Sequence, residues 1–334
     1  MSLVEELGER KIIDLILGCL DQMPNMQVPF GDDVSAIDIG HGKLAVIKAD
    51  MLVGKTDVPQ GMSLWQAARK AVVMNISDLA AKGVQPLALL ASIGVPRGLS
   101  RKDIQHIGKG LNAGAREYNA YVLGGDTNEA SDLVISCSVL GICQKRHLIR
   151  RSGAKPGDYV AVTGFFGKTS SGLKILLENL SAPPEIREEL VNSVLMPHAR
   201  LREGLALAQT KAATASIDSS DGLAWSLHEI SLASNVGFVL DNLPVAQEAE
   251  KFAKIHGLDP VELTLYGGEE YELLATIQPK LWQDAEKAVE TVGGFLIKIG
   301  RVMKEKTLLL KAVGKTVSIE ARGWEHFKQL RSET

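Results

Sequence analysis

Strand-like and helix-like apolar stretches alternate along this chain, stop at one polar segment near its middle, and then begin again. That segment is Arg150-Arg151-Ser152-Gly153-Ala154-Lys155-Pro156-Gly157-Asp158. Its two glycines and its proline have the composition of a boundary. It divides the 334 residues into two units, 1–149 and 150–334, each long enough for its own core. In the first unit, Val4, Leu7, Ile12, Ile16 and Leu20 share one face of a helix expected over 3–21. Strands are expected at 34–39 and 43–49 around Gly40-His41-Gly42, at 87–95, 120–124 and 132–142. Ser63 opens a helix that Gly83 closes, and Ser100 with Asp103 forms a capping box for another. The second unit predicts strands at 159–163, 214–217, 237–241 and 271–277, with two or three more to about 319. Its helices are expected near 169–180, 185–195, 199–211, from Gly222 and over 280–292. Some strands are hairpin-linked and others are separated by helices, so the class is α+β with a mixed sheet in the first unit.

Composition removes several functions. With 37 basic and 40 acidic side chains the net charge is −3, which offers no basic field for nucleic acid. No apolar run approaches the roughly 20 residues needed to span a bilayer. The first residues are acidic and amphipathic rather than basic and then apolar, so no signal peptide is expected. Cys19, Cys137 and Cys143 form neither a metal-type spacing nor an even disulfide set. The expectation is a soluble cytoplasmic protein.

The acids carry the chemical information. Asp32 and Asp33 follow Gly31, Asp50 ends an apolar strand, and Asp78 interrupts an apolar helix. Asp126 follows Gly124-Gly125, Asp218 and Asp221 flank two serines, and Glu269 and Glu270 follow Gly267-Gly268. An ionised carboxylate in apolar surroundings costs several kcal/mol unless it is paired or bound to a metal. Lys48 is the cation recognised beside them on the apolar side. Each motif alone has an ordinary reading: a turn at Gly31 or Gly124, a solvent-facing Asp78, an N-cap at 218–222, a loop at 267–270. Together, in both halves, they point to convergence on hard cations such as Mg²⁺, which bridges carboxylates to phosphate.

Two other chemistries fall away. Gly164-Phe165-Phe166-Gly167-Lys168-Thr169 sits between a strand and a helix, but the glycine that a phosphate loop needs is Val162. A helix N-terminus there keeps a weak capacity for phosphate. The seven histidines are scattered without ligand spacing, and no nucleophile constellation emerges. Phosphoryl transfer needs little covalent help from a protein, so direct transfer fits.

Read in order, the segments Gly31–Asp33, Lys48–Val53, Asn75–Gly83, Gly124–Thr127, Arg151–Asp158, Ile217–Leu223 and Gly267–Leu273 resemble the thiamine-monophosphate kinase family of the AIR synthase-like superfamily. Gly323-Trp324 resembles its C-terminal aromatic. The resemblance spans nearly the whole chain. It implies an AIR synthase-like domain in each half, and transfer of the ATP γ-phosphate to thiamine monophosphate with several Mg²⁺ ions. By position, Asp33, Asp50, Asp78, Asp126, Asp218 and Asp221 resemble the metal ligands. Gly125, Asp126, Arg151 and Ser220 resemble the ATP contacts, and Asp57, Glu269 and Trp324 stand at substrate positions. The family also implies a homodimer whose N-terminal strands close a shared barrel.

The chain departs from the family pattern at three points. Lys48-Ala49 replaces Ser/Thr-Thr before Asp50, Asp57 stands in place of a histidine, and Lys168 replaces an acid. The alternatives are another ATP-using member with a different acceptor, and a nucleotide-binding homologue without catalysis. Every principal carboxylate position remains acidic, which favours the kinase.

Overall fold

The computed structural model describes residues 4–312 and 314–327. Two short helices, α1 (Val4–Leu7) and α2 (Glu9–Leu17), replace the single helix expected over 3–21. The chain breaks at Gly8, whose φ is 73°; Leu3 lies outside the described residues. Next come β1 (Ser35–Asp38), β2 (Lys43–Val53), α3 (Gly54–Asp57), α4 (Leu64–Ala81), β3 (Gln85–Val95), α5 (Arg101–Glu117), β4 (Tyr121–Glu129) and β5 (Val134–Gln144). Among the described residues these strands form one sheet in the order β1-β2-β5-β3-β4. β3 and β4 are parallel and the other pairs antiparallel. Both expected helix starts hold: Ser63 with Gln66, and Ser100 with Asp103, form capping boxes.

Gly124-Gly125-Asp126-Thr127 is not a tight turn. It lies inside β4, where Gly125 presses on β3: a Cβ there would meet the Ala91 carbonyl oxygen at 1.7 Å. Absence of a side chain is what lets the strand continue to Glu129.

The second half builds β6 (Tyr159–Val162), α6 (Lys168–Leu177), α7 (Pro184–Leu195), α8 (Leu201–Thr210), β7 (Ala213–Asp218), α9 (Leu223–Ser234), β8 (Gly237–Leu240), α10 (Gln247–His256), α11 (Pro260–Tyr266), β9 (Leu273–Ile277), α12 (Trp282–Thr291), β10 (Ile297–Met303), β11 (Leu308–Ala312) and β12 (Lys315–Ser318). Its sheet runs β12-β11-β8-β10-β6-β9-β7 among the described residues. α10 and α11 carry no strong sequence signal, because α10 buries only Ala249, Phe252 and Ala253. β9 starts two residues later than expected, because Glu269 and Tyr271 adopt left-handed φ values of 63° and 54°.

The decisive packing event is the burial of α4. A solvent-facing Asp78 was the ordinary reading of this helix, set against convergence on a cation. Instead nearly every residue from Ala67 to Ala81 is buried, including Arg69, Lys70, Asn75, Ser77 and Asp78. One side of α4 lies on β2 and β5, and the other is covered by α8, β7 and β9 of the second half. Gly204 of α8 makes that second contact possible, since a Cβ there would meet the Ala80 carbonyl oxygen at 1.9 Å. The polar residues of α4 therefore lie between the two halves. Among the described residues, no helix is long and apolar enough to cross a membrane.

Candidate active site

Strand alternation begins the site. On β2, Val46 and Leu52 face inward to the core, so Lys48 and Asp50 share that face and look toward α4. Asp78 comes from α4, Asp218 from the end of β7, and Asp33 from the loop before β1. One carboxylate oxygen from each of Asp33, Asp78 and Asp218 lies within 4.8 Å of the others, and all three residues are buried. Residues 33, 78 and 218 thus meet through folding alone. Asn75, one turn before Asp78, accepts from the Asp50 backbone N–H at 2.9 Å. Ser77 donates to Asp218 Oδ2 at 2.7 Å.

Three cations compensate the acids. Lys48 Nζ lies 3.1 Å from Asp50 Oδ1 and 3.1 Å from Asp78 Oδ2. Lys82 Nζ lies 2.7 Å from Asp32 and 2.6 Å from Asp33, and donates to the Ser216 carbonyl at 2.6 Å. Arg151 pairs with Asp33, donates to the Gly31 carbonyl at 2.8 Å and to Glu229 at 2.6 Å, and offers its backbone N–H to Asp32. Burial would raise the Asp33 carboxyl, but Lys82 and Arg151 outweigh it and hold it at about 2. Burial would equally lower Lys48; Asp78, Asp50, Asp33 and Asp218 overcome this and keep it a firm ammonium.

The other side of the cluster is short of positive charge. Burial and the carboxylates of Asp50, Asp218 and Asp33 push Asp78 up despite Lys48. Asp218 is pushed up to about 6 by burial and Asp33. Asp221, further along the same loop, reaches about 7 through burial, Glu9 and Asp218. Carboxylates whose ionisation is resisted in this way are those a divalent cation relieves. The donors are hard oxygens, the set that suits Mg²⁺.

A second group lies at the other end of the same helix. Lys70, buried on α4, reaches Glu269 Oε1 at 2.5 Å and the Asp57 carbonyl at 3.0 Å. The Asp57 carboxylate itself accepts from the Val53 N–H at 2.7 Å, closing the turn after β2. The Glu269 N–H donates to the Ser220 carbonyl at 2.6 Å, and the Tyr271 N–H to the Ser219 carbonyl at 3.0 Å. The two glutamates' loop is thereby fastened beside Asp218. Burial, then the charges of Glu269, Asp218, Asp50 and Asp57, push the buried Tyr271 hydroxyl up. Trp324, half exposed, donates its backbone N–H to the Asp221 carbonyl at 3.0 Å. Its neighbour Glu325 pairs with Arg10 at 3.0 Å.

Other expected residues lie elsewhere. Asp126 is exposed on the edge strand β4 with Gly125, outside the converging group. Lys168 pairs with Glu189 and, at 3.6 Å, with Glu248, away from the acids. The phosphate capacity expected at 164–169 is already taken. The half-buried Glu270 carboxylate accepts from the backbone N–H groups of Gly167 at 2.6 Å and Thr169 at 3.1 Å. Sequence reasoning missed Lys82 and Lys70. Lys82 stands four residues after Asp78, a spacing that marks one helix face, and that signal was readable.

Residues 31–143 match the AIR synthase related protein N-terminal domain, and residues 155–311 match its C-terminal domain. The thiamine-monophosphate kinase of Pyrococcus horikoshii is 40% identical over 300 residues, covering 89% of this chain and 91% of that protein. That of Bacillus subtilis is 32% identical over 315 residues, covering 91% and 94%. Among solved structures, AaThiL complexed with AMPPCP and TMP superposes with a TM-score of 0.84 at 27% identity, covering 98% of this chain and 99% of that one. The thiamine-monophosphate kinase from Stenotrophomonas maltophilia gives 0.75 at 26% identity, over 90% and 95%. Hydrogenase maturation protein HypE, at 19% identity and 0.67, shares the fold alone. With both domain models matched in order and such relatives along most of its length, the chain belongs to the thiamine-monophosphate kinase family of AIR synthase related proteins.

Proposed function

We propose that this protein transfers the γ-phosphoryl group of ATP to thiamine monophosphate, giving thiamine diphosphate and ADP. The observation that carries the reading is the buried convergence of Asp33, Asp78 and Asp218 between the two halves, in a chain 40% identical to a thiamine-monophosphate kinase. The AaThiL neighbour, described with AMPPCP and TMP, supports an ATP-like nucleotide and a phosphorylated acceptor bound together.

Asp33, Asp50, Asp78 and Asp218 would hold Mg²⁺, with Asp221 a further ligand; Asp126, exposed on β4 outside this group, is left to the nucleotide. Bound there, the metal would neutralise phosphate charge in the transition state. Gly125, Asp126, Arg151 and Ser220 are assigned to the nucleotide, and Asp57, Glu269 and Trp324 to the acceptor. An acceptor phosphate oxygen forms the new bond to the γ-phosphorus as the bond to the β,γ-bridging oxygen breaks. ADP leaves, and no protein nucleophile is required. Arg151 fixes the loop of Asp32 and Asp33 against the second half, while Lys70 fixes Glu269.

We further assign a homodimer to the outer face of the first sheet, with the domain junction at 149/150. Ile47, Met51, Leu87, Leu90, Tyr121 and Leu123 are exposed there, and β4 is an unpaired edge among the described residues. A bare edge beside apolar side chains is a surface that a second copy can cover. The test of function is an assay with Mg-ATP and a panel of phosphorylated acceptors, following ADP and product together. Thiamine monophosphate is expected to give equal amounts of ADP and thiamine diphosphate. Preference for another acceptor would move the chain to a different reaction within the same fold.

A further inference from the structure

We propose that the Lys48 ammonium is a built-in cation, which takes the place of one divalent ion on the Asp50–Asp78 side of the cluster. The inference rests on the metal-assisted reading above and deepens it. Lys48 Nζ sits between two carboxylates at 3.1 Å from an oxygen of each. A divalent ion held by the same two carboxylates would need the space the ammonium fills.

Lys48 is also poorly placed to withdraw. Its backbone is mid-strand in β2, in register with Val139 of the adjacent β5. Its side chain is 20% exposed, and it shares the inward face with the fully buried Val46 and Leu52. Asp50 is held in turn by Asn75, so both partners of the ammonium have fixed backbones.

Charge counting leads the same way. Lys82 and Arg151 are engaged by Asp32, Asp33 and Glu229 and contribute no contact to the remaining acids. Asp50, Asp78 and Asp218 remain, and Lys48 is the cation that contacts two of them. Three negative charges less one leave two, which a single divalent ion balances. Replacing Lys48 by a neutral residue leaves three and reopens the space between Asp50 and Asp78. The lysine would therefore lower the number of exchangeable ions while keeping the cluster assembled without them.

The test is Mn²⁺ binding to the full chain with AMPPCP, in wild type, Lys48→Thr and Lys48→Arg. Lys48→Thr should bind one more Mn²⁺ per chain than wild type, and Lys48→Arg should not. Equal, non-zero stoichiometry in all three proteins overturns the inference but leaves the metal-assisted reading standing. No Mn²⁺ in any of them overturns both. Anomalous scattering from wild-type crystals grown with Mn²⁺ and AMPPCP decides the matter should Lys48→Thr not fold. No Mn²⁺ peak is expected to bridge Asp50 and Asp78; such a peak, with Lys48 turned away, refutes the proposal.

Discussion

Asp78 is the residue on which most of the site depends. It is buried between two domains, touches Lys48 and stands among the oxygens of Asp33 and Asp218. Asp78→Asn keeps its shape and removes its charge. Turnover should fall at least a hundredfold, a loss of about 3 kcal/mol or more of transition-state stabilisation, while circular dichroism and melting show a folded protein. Near-native activity at saturating Mg²⁺ would remove Asp78 from the metal site. Its importance was legible because a lone acid in an apolar helix needs a partner. The partner of Lys82 was not, because a lysine at a helix C-terminus looks like an ordinary complement to the helix dipole. Its carboxylates lie some 50 residues earlier, and only folding brings them to it.

At the scale of elements, α6 shows how a sequence pattern can be real and its ligand wrong. Glycines before a helix do expose N–H groups, but Glu270 fills them from the loop before β9. Gly164, Phe165 and Thr169 instead line a cavity of about 540 Å³ with Arg200 and Glu272. Burial raises Glu270 to about 7 even though the helix N–H groups favour its charge. Being raised above its unfolded value, this carboxyl stabilises the fold below about pH 4.5, and that contribution is lost as pH rises toward 7. Over pH 5–8 Glu270→Gln should therefore melt with a flatter pH dependence than wild type. The full difference is on the order of 3 kcal/mol. Parallel melting curves would show that Glu270 does not titrate in this window. The neighbouring helices α10 and α11 were illegible for a simpler reason: short helices with three buried residues each give little periodicity.

For the whole molecule, the α+β class and the strands of both sheets were readable from apolar alternation. The burial of α4 from both sides was not. Its pattern of small residues suits a helix with one wet face, and the second covering surface comes from α8, more than a hundred residues later. The outer face of the first sheet remains open in one chain. Leu123, 72% exposed on β4, belongs to the proposed dimer face. Light scattering should give twice the 36.0 kDa chain mass for wild type and a shift toward monomer for Leu123→Lys. An unchanged dimer would place the contact elsewhere.

Direct phosphoryl transfer to thiamine monophosphate at the cluster between the two halves leaves a distinctive fate for the γ-phosphate. Rapid quenching of one turnover with γ-labelled Mg-ATP and thiamine monophosphate tests it most directly. Label is expected in the terminal phosphate of thiamine diphosphate, with ADP in equal amount and none on the chain after denaturing separation. Stoichiometric label on the protein, or its release as inorganic phosphate without thiamine diphosphate, would contradict it.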